Sequence, residues 1–147
     1  MAGKTFRAGS AGQGEAIMAS VIGVGGIFFH SSDPEGLMAW YRDALGMELN
    51  DYGGADFLHA GSAQAFPQGA RTIFAPFKPD TEYFGPSEKP FMINLIIDDM
   101  DAMLERLKEK GIPLVGDPQD YNYGRFAWVM DPNGTKIELW QPIEPKD

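Results

Sequence analysis

The sequence predicts an α+β fold built from two tandem βαβββ modules, and three observations predict it. The first is a repeat. Val24-Gly25-Gly26-Ile27-Phe28-Phe29-His30-Ser31-Ser32-Asp33, followed by an amphipathic helix, is answered by Pro90-Phe91-Met92-Ile93-Asn94-Leu95-Ile96-Ile97-Asp98-Asp99 and a second such helix. Aligning Asp33 with Asp99 gives an offset of 66 residues (99 − 33), too long for a solenoid period and suited to two like modules. The second observation is helix punctuation: each copy has an Asp cap, apolar residues at helical spacing and a closing glycine, Gly46 and then Gly111. The third is a turn between two short apolar runs. Asp131-Pro132-Asn133-Gly134 sets its second position with proline, and glycine tolerates positive φ at its end.

The elements follow in order. Residues 1–19 are rich in Gly, Ala and Ser, the composition of a flexible arm or an expression leader, with Met18 as a candidate natural start. A single domain then fills 20–147, with module 1 at about 20–78, a linker at about 79–90 and module 2 at about 91–142. Val21 to His30 reads as a strand whose glycines leave space on one face. Asp33 caps a helix with Pro34 at its first position, and Leu37, Met38, Tyr41 and Leu45 form its buried stripe. Three shorter strands are expected near Glu48 to Asp51, Ala55 to Ala60 and Arg71 to Phe77. In module 2, Met92 to Ile97 is a strand and Asp99 caps a helix with Met100, Met103, Leu104 and Leu107 inward. Pro113 to Val115, Arg125 to Met130 and Lys136 to Gln141 are its remaining strands.

Composition narrows the function. The chain has 147 residues, 44% of them apolar, enough to bury one real core. It has no cysteine, which excludes disulfides, thiolate nucleophiles and cysteine zinc sites. The formal charge of −9, with no basic cluster, opposes nucleic-acid binding. No apolar run approaches the roughly 20 residues of a membrane span, and no signal-peptide pattern opens the chain, so a cytoplasmic location is expected. Gly23 to Gly26 lacks the dinucleotide-binding pattern and leads into strand residues, not a helix. Asp98, Asp99 and Asp101 serve a helix start, and Asp131 with Asn133 serves a turn.

Tandem βαβββ units ending in Asp131-Pro132-Asn133-Gly134-Thr135-Lys136-Ile137-Glu138-Leu139, with Trp40-Tyr41-Arg42-Asp43-Ala44-Leu45-Gly46 closing the first helix, resemble the vicinal oxygen chelate superfamily. That superfamily includes glyoxalase I, bleomycin-resistance proteins and extradiol dioxygenases. The resemblance covers about Val21 to Pro142. It implies a curled mixed sheet around a cup that holds a divalent metal and a small ligand, and it implies a homodimer.

Strand alternation names the residues facing such a cup. On the last strand Ile137 and Leu139 pack on helices, so Lys136, Glu138 and Trp140 face the other way. By the same parity Gly26, Phe28 and His30 face the cup from the first strand, and Met92, Asn94 and Ile96 from its counterpart. The resemblance implies a metal-binding His about seven residues before each helix-starting Asp, and a Glu on the last strand. Glu138 holds the glutamate position, whereas the histidine positions hold Gly26 and Met92, neither suited to a hard or borderline divalent ion. His30 lies ~13 Å further along the strand from Gly26 and does not replace the lost ligand. It is read either as a strand-end histidine bonded to the next loop or as a general base or ligand. His59 is expected to be exposed and inert.

Buried in a half-apolar cup, Glu138 is expected to bind a cation, meet Lys136 or Arg125, or serve proton transfer. Glu138 and His30 are thus the catalytic candidates, with Phe28, Met92, Asn94, Tyr123, Arg125 and Trp140 as ligand-binding candidates. Tyr121, Tyr123 and Arg125 either supply donors and a carboxylate clamp at the rim or cover the sheet end. In the linker, Tyr83 and Phe84 either close over a ligand or lie along the surface. The expected function is binding of a small apolar or aromatic molecule in the cup, without the usual metal and with no other cofactor. The alternative is a lyase, isomerase or dioxygenase of the glyoxalase type that uses Glu138 as metal ligand or base.

Overall fold

The computed structural model describes residues 18–144, so the expected arm at 1–19 lies outside the described residues except for Met18, the candidate start, and Ala19. The first helix or strand among the described residues is helix α1, Pro34–Leu45. Asp33 caps it by accepting from the Gly36 amide at 3.1 Å, proline fills the first turn, and Gly46 ends it in the left-handed region at φ 71°. A short helix α2 spans His59–Ala65. Strand β1 is Ile93–Ile96, and helix α3 is Met100–Glu109, capped by Asp99 on the Ala102 amide. Strands β2 (Gln119–Tyr121), β3 (Gly124–Met130) and β4 (Lys136–Pro142) follow.

The four strands form one mixed, open sheet in the order β1-β4-β3-β2. β1 runs parallel to β4, and the other two pairings are antiparallel. The parity read from the sequence holds across it. Ala127, Val129, Ile137 and Leu139 are fully enclosed on one face, where they meet Leu37, Tyr41, Met100 and Leu107 of α1 and α3. This single apolar layer is the core. Its edge is tied by the predicted turn, in which Asp131 accepts from the amides of Asn133 and Thr135, both at 2.8 Å. The same carboxylate receives the Tyr41 hydroxyl at 2.6 Å and so fixes α1 to the sheet.

Several expected strands are absent. Among the described residues, Val21 to His30, Glu48 to Asp51, Ala55 to Ala60 and Arg71 to Phe77 form no ladder. A strand is stable only when a neighbour completes its hydrogen bonds, and among the described residues no backbone ladder reaches these segments. Ala55 to Ala60 contributes instead to the start of α2, whose Ala- and Gln-containing sequence suits a helix. His59 opens that helix and is exposed. Pro113 to Val115 only flanks β3, through one bond from the Val115 amide to the Trp128 carbonyl. In its place β2 pairs with β3 around the turn Tyr121 to Gly124, where the sequence reading expected only a turn. The architecture is therefore α+β with a four-stranded mixed sheet, and among the described residues all four strands lie after residue 92.

Candidate functional site

The face of the sheet turned away from the helices carries the candidate site. Register brings Asn94 beside Glu138, Glu138 beside Trp128, and Trp140 beside Phe126. Rings dominate this face: Phe126 lies nearly parallel to Trp128 (interplanar 15°) and to Trp140 (12°), each with centroids 6.3 Å apart. At the end of the β2–β3 turn, Tyr121 and Tyr123 stack at 5.3 Å, and both meet Phe126 edge-on.

Glu138 sits among these rings and is only 9% exposed. Three donors reach it. Asn94 Nδ2 donates to Oε1 at 2.8 Å, while Trp128 Nε1 at 2.9 Å and the Tyr83 hydroxyl both donate to Oε2. Burial first, and then the bond to Glu138, push the Tyr83 hydroxyl well above the ordinary tyrosine range. Lys136 does not meet Glu138 directly. Its Nζ donates to the Tyr83 carbonyl at 2.6 Å and lies 5.0 Å from the centre of the Tyr83 ring. Burial lowers the Lys136 pKa, and the nearby Glu138 charge opposes that shift. Tyr83 is thus clipped at both ends, by Lys136 on its backbone and Glu138 on its hydroxyl. Phe77 stacks on it at 5.8 Å, so this part of the linker lies against the ring-lined face.

The expected site residues separate into two sets. Glu138, Asn94 and Trp140 are brought together, with Tyr123 on the rim through Phe126. Met92 is half-buried just before β1. The others lie elsewhere. Phe28 is 94% exposed and belongs to no ladder. His30 is exposed too, it ends no strand, and its carbonyl, not its ring, is held by Asn133 Nδ2 at 2.9 Å. Arg125 shares parity with Ala127 and Val129, so it points to the helix side and pairs with Asp101 at 3.0 Å and Asp120 at 3.1 Å. This corrects its reading as a clamp at the cup's rim. Phe126 and Trp128 went unnamed as site residues, although the alternation that selected Glu138 also selects them.

The side chains around Glu138 do not fit a divalent cation. Neutral N–H and O–H donors occupy its oxygens, Gly26 and Met92 stand where nitrogen ligands would be needed, and among the described residues no three His, Cys, Asp or Glu side chains gather. What the arrangement offers is an apolar, ring-lined surface with a few fixed polar groups, the usual makeup of a small-molecule site.

Trp140 owes its place to a glycine. A Cβ at Gly124 would collide with the indole Nε1 and Cδ1, so only glycine lets the ring lie flat over β3. Gly124→Ala is expected to lift Trp140 off the sheet and shift the tryptophan emission to longer wavelength. An unchanged emission spectrum would contradict this placement.

The family model described as "Glyoxalase/Bleomycin resistance protein/Dioxygenase superfamily" matches residues 24–139. Among solved structures, a glyoxalase/bleomycin resistance protein from Streptomyces sp. CB03234 is 41% identical over 33% of this chain and 42% of its own, with a TM-score of 0.31. TnmS3, an antibiotic binding protein from the same Streptomyces strain, is 27% identical over 77% of this chain and 88% of its own, with a TM-score of 0.44. A superfamily member from Sphaerobacter thermophilus DSM 20745 is 23% identical over 76% and 90%, with a TM-score of 0.42. The chain spans less than half the length of two matched structures, the first of these (42%) and a "conserved domain protein" (47%). Comparison with curated proteins gave no match.

Proposed function

The chain belongs to the Glyoxalase/Bleomycin resistance protein/Dioxygenase superfamily, and from that premise we propose that it binds a small, flat apolar or aromatic molecule on the ring-lined face of its sheet, without a metal. One observation carries this reading. The carboxylate at the family's ligand position is engaged by Tyr83, Asn94 and Trp128 and flanked by near-parallel rings. A carboxylate held in this way orders the surface around it, and Phe126, Trp128 and Trp140 supply the contact area. Glyoxalase-type proton transfer or dioxygenase chemistry would need those oxygens free to take a metal or a proton.

The ligand would be a neutral or cationic aromatic compound, since the overall charge of −9 disfavours anions. Localisation in the cytoplasm belongs with this reading, and no described helix is long and apolar enough to cross a membrane. The test is a pair of titrations on the full chain. A cationic planar dye such as proflavine is expected to bind, and Trp140→Ala to weaken it at least tenfold. Nickel, zinc, manganese and iron(II) are expected to give no stoichiometric heat. Tight metal binding that disappears in Glu138→Ala would overturn the metal-free reading and restore the enzymatic one.

A further inference from the structure

Two tyrosine hydroxyls end on buried carboxylates in this chain, and they differ in what holds them. Tyr41, which donates to Asp131, is 4% exposed and belongs to helix α1. Tyr83, which donates to Glu138, is 40% exposed and belongs to no helix or strand. The first is a core residue. The second is a linker side chain laid onto the ring-lined face.

The contacts of Tyr83 are those a site makes to a phenol. Its hydroxyl meets Glu138 Oε2, its ring stands perpendicular to Trp128 with centroids 6.3 Å apart, and Lys136 Nζ lies 5.0 Å from its centre. A charged acceptor, a perpendicular ring and a cation near the π face are each attractive to a hydroxyl-bearing aromatic group. We infer that Tyr83 is an internal occupant of the ligand site, and that the ligand is a neutral hydroxyl-bearing aromatic molecule that displaces the Tyr83 side chain and donates to Glu138 in its stead. This rests on the binding reading above and names both the ligand class and the residue that competes with it.

Room for the exchange is at hand. A cleft of roughly 2750 Å³ is lined by Phe77, Phe84, Asn94, Glu138 and Trp140, and a small-molecule pocket measures about 300–1,000 Å³. A guest can therefore reach Glu138 from the cleft, and the displaced ring can turn into the same space. The linker backbone need not move with it. Lys136 Nζ holds the Tyr83 carbonyl at 2.6 Å, Thr81 Oγ1 accepts from the Tyr83 amide at 3.2 Å, and Ser87 Oγ donates to the Gly134 carbonyl at 2.6 Å. None of these bonds uses the Tyr83 ring, so rotation about its own side-chain bonds frees the site.

The face also lacks the closure of a finished core. Trp140 Nε1 is buried with no acceptor among the described residues, whereas buried donors in closed cores are nearly all paired. Exchange is close to even in hydrogen bonds, because one phenol replaces another on the same carboxylate. A guest larger than tyrosine adds contact with Phe126 and Trp140, which tips the balance. Apparent affinity is reduced by the fraction of time that Tyr83 fills the site. An aromatic molecule without a hydroxyl evicts the tyrosine and leaves Glu138 one donor short.

The test uses 2-naphthol, a flat neutral phenol, and its methyl ether, which keeps the rings and lacks the donor. By calorimetry on the full chain, 2-naphthol is expected to bind about tenfold more tightly than the ether, or better. Tyr83→Phe keeps the ring and drops the competing hydroxyl, so it is expected to bind 2-naphthol about fivefold more tightly than the parent does. A tyrosine that only walled the site would give no gain or a loss. The parent supplies a second readout. With all five tyrosines carrying carbon-13 at Cζ, the Tyr83 signal is assigned by its loss in Tyr83→Phe. Saturating 2-naphthol is expected to move it towards the signal of exposed Tyr52 and to leave Tyr41 in place. An unmoved Tyr83 signal, equal binding of phenol and ether, or no gain in Tyr83→Phe would each overturn the inference. If proflavine binds while 2-naphthol has no advantage over its ether, this inference falls and the binding reading stands. If neither chain binds any of the three compounds, both fall.

Discussion

Replacing Glu138 by alanine is expected to lower folding stability by about 2–4 kcal/mol, because it strands donors around a buried site instead of removing one contact. The Trp128 indole and the Tyr83 hydroxyl both end on Oε2, and Trp128 is itself buried at 9% exposure. A buried donor left without an acceptor costs about 1–3 kcal/mol. Asn94 is exposed and recovers its bond from water, so it adds little. Glu138→Gln separates the effects. Its single carbonyl can still accept from Trp128 and Tyr83, and the Asn94 amide can turn to receive the new NH₂ group. The glutamine variant is therefore expected to keep most of the stability, with urea denaturation as the measure. Equal losses in the two variants would mean that charge, and not donor satisfaction, holds this site together. The Tyr83 hydroxyl gives a second readout: its titration should move down towards the ordinary tyrosine range in Glu138→Ala, as the bond and the charge that raise it are both gone.

The second half of the molecule was legible in the sequence because the chain itself satisfies it. Asp99, the Met100 to Leu107 stripe and the Asp131 to Gly134 turn are local devices whose partners lie a few residues away, and each was found as expected. The cup parity of Asn94, Glu138 and Trp140 followed from the period of a strand, once Ile137 and Leu139 were recognised as core. Local patterning gave a poorer reading of the first half. Val21 to His30 has strand composition, but composition does not provide the neighbour that a ladder needs, and among the described residues none pairs with it. Tyr83 illustrates a different limit. Its role depends on the path of a proline-rich linker across the sheet, which no periodicity encodes. Arg125 stands beside a tyrosine-rich turn whose composition suggests a rim, but its parity with Ala127 assigns it to the helix side, where it pairs with Asp101.

Tyr41 joins the two halves, and its removal should be felt at both neutral and alkaline pH. Its hydroxyl donates to Asp131 at 2.6 Å from a position only 4% exposed, the one side-chain bond between α1 and the turn before β4 among the described residues. Burial first, then the bond and the charge of Asp131, raise its pKa far above the ordinary value of 10.0. A group whose folded pKa lies above its unfolded one contributes stability that is fully present below the unfolded value and is lost as pH climbs beyond it. Stability should therefore hold up to about pH 10 and then fall by up to ~1.4 kcal/mol per pH unit from Tyr41 alone. Tyr83 adds to the fall in the same direction, while Lys136, whose folded pKa is lowered, titrates in that range with the opposite sign. Comparison with Tyr41→Phe isolates the one residue. That variant is expected to lose about 2 kcal/mol at pH 7, the value of a hydrogen bond to a charged group, and to show a shallower decline above pH 10. The loss at pH 7 should be held in check because Asp131 keeps the amides of Asn133 and Thr135. Urea denaturation of both proteins between pH 7 and 11 checks this, and parallel curves would show that Tyr41 ionises as freely in the folded chain as in the unfolded one.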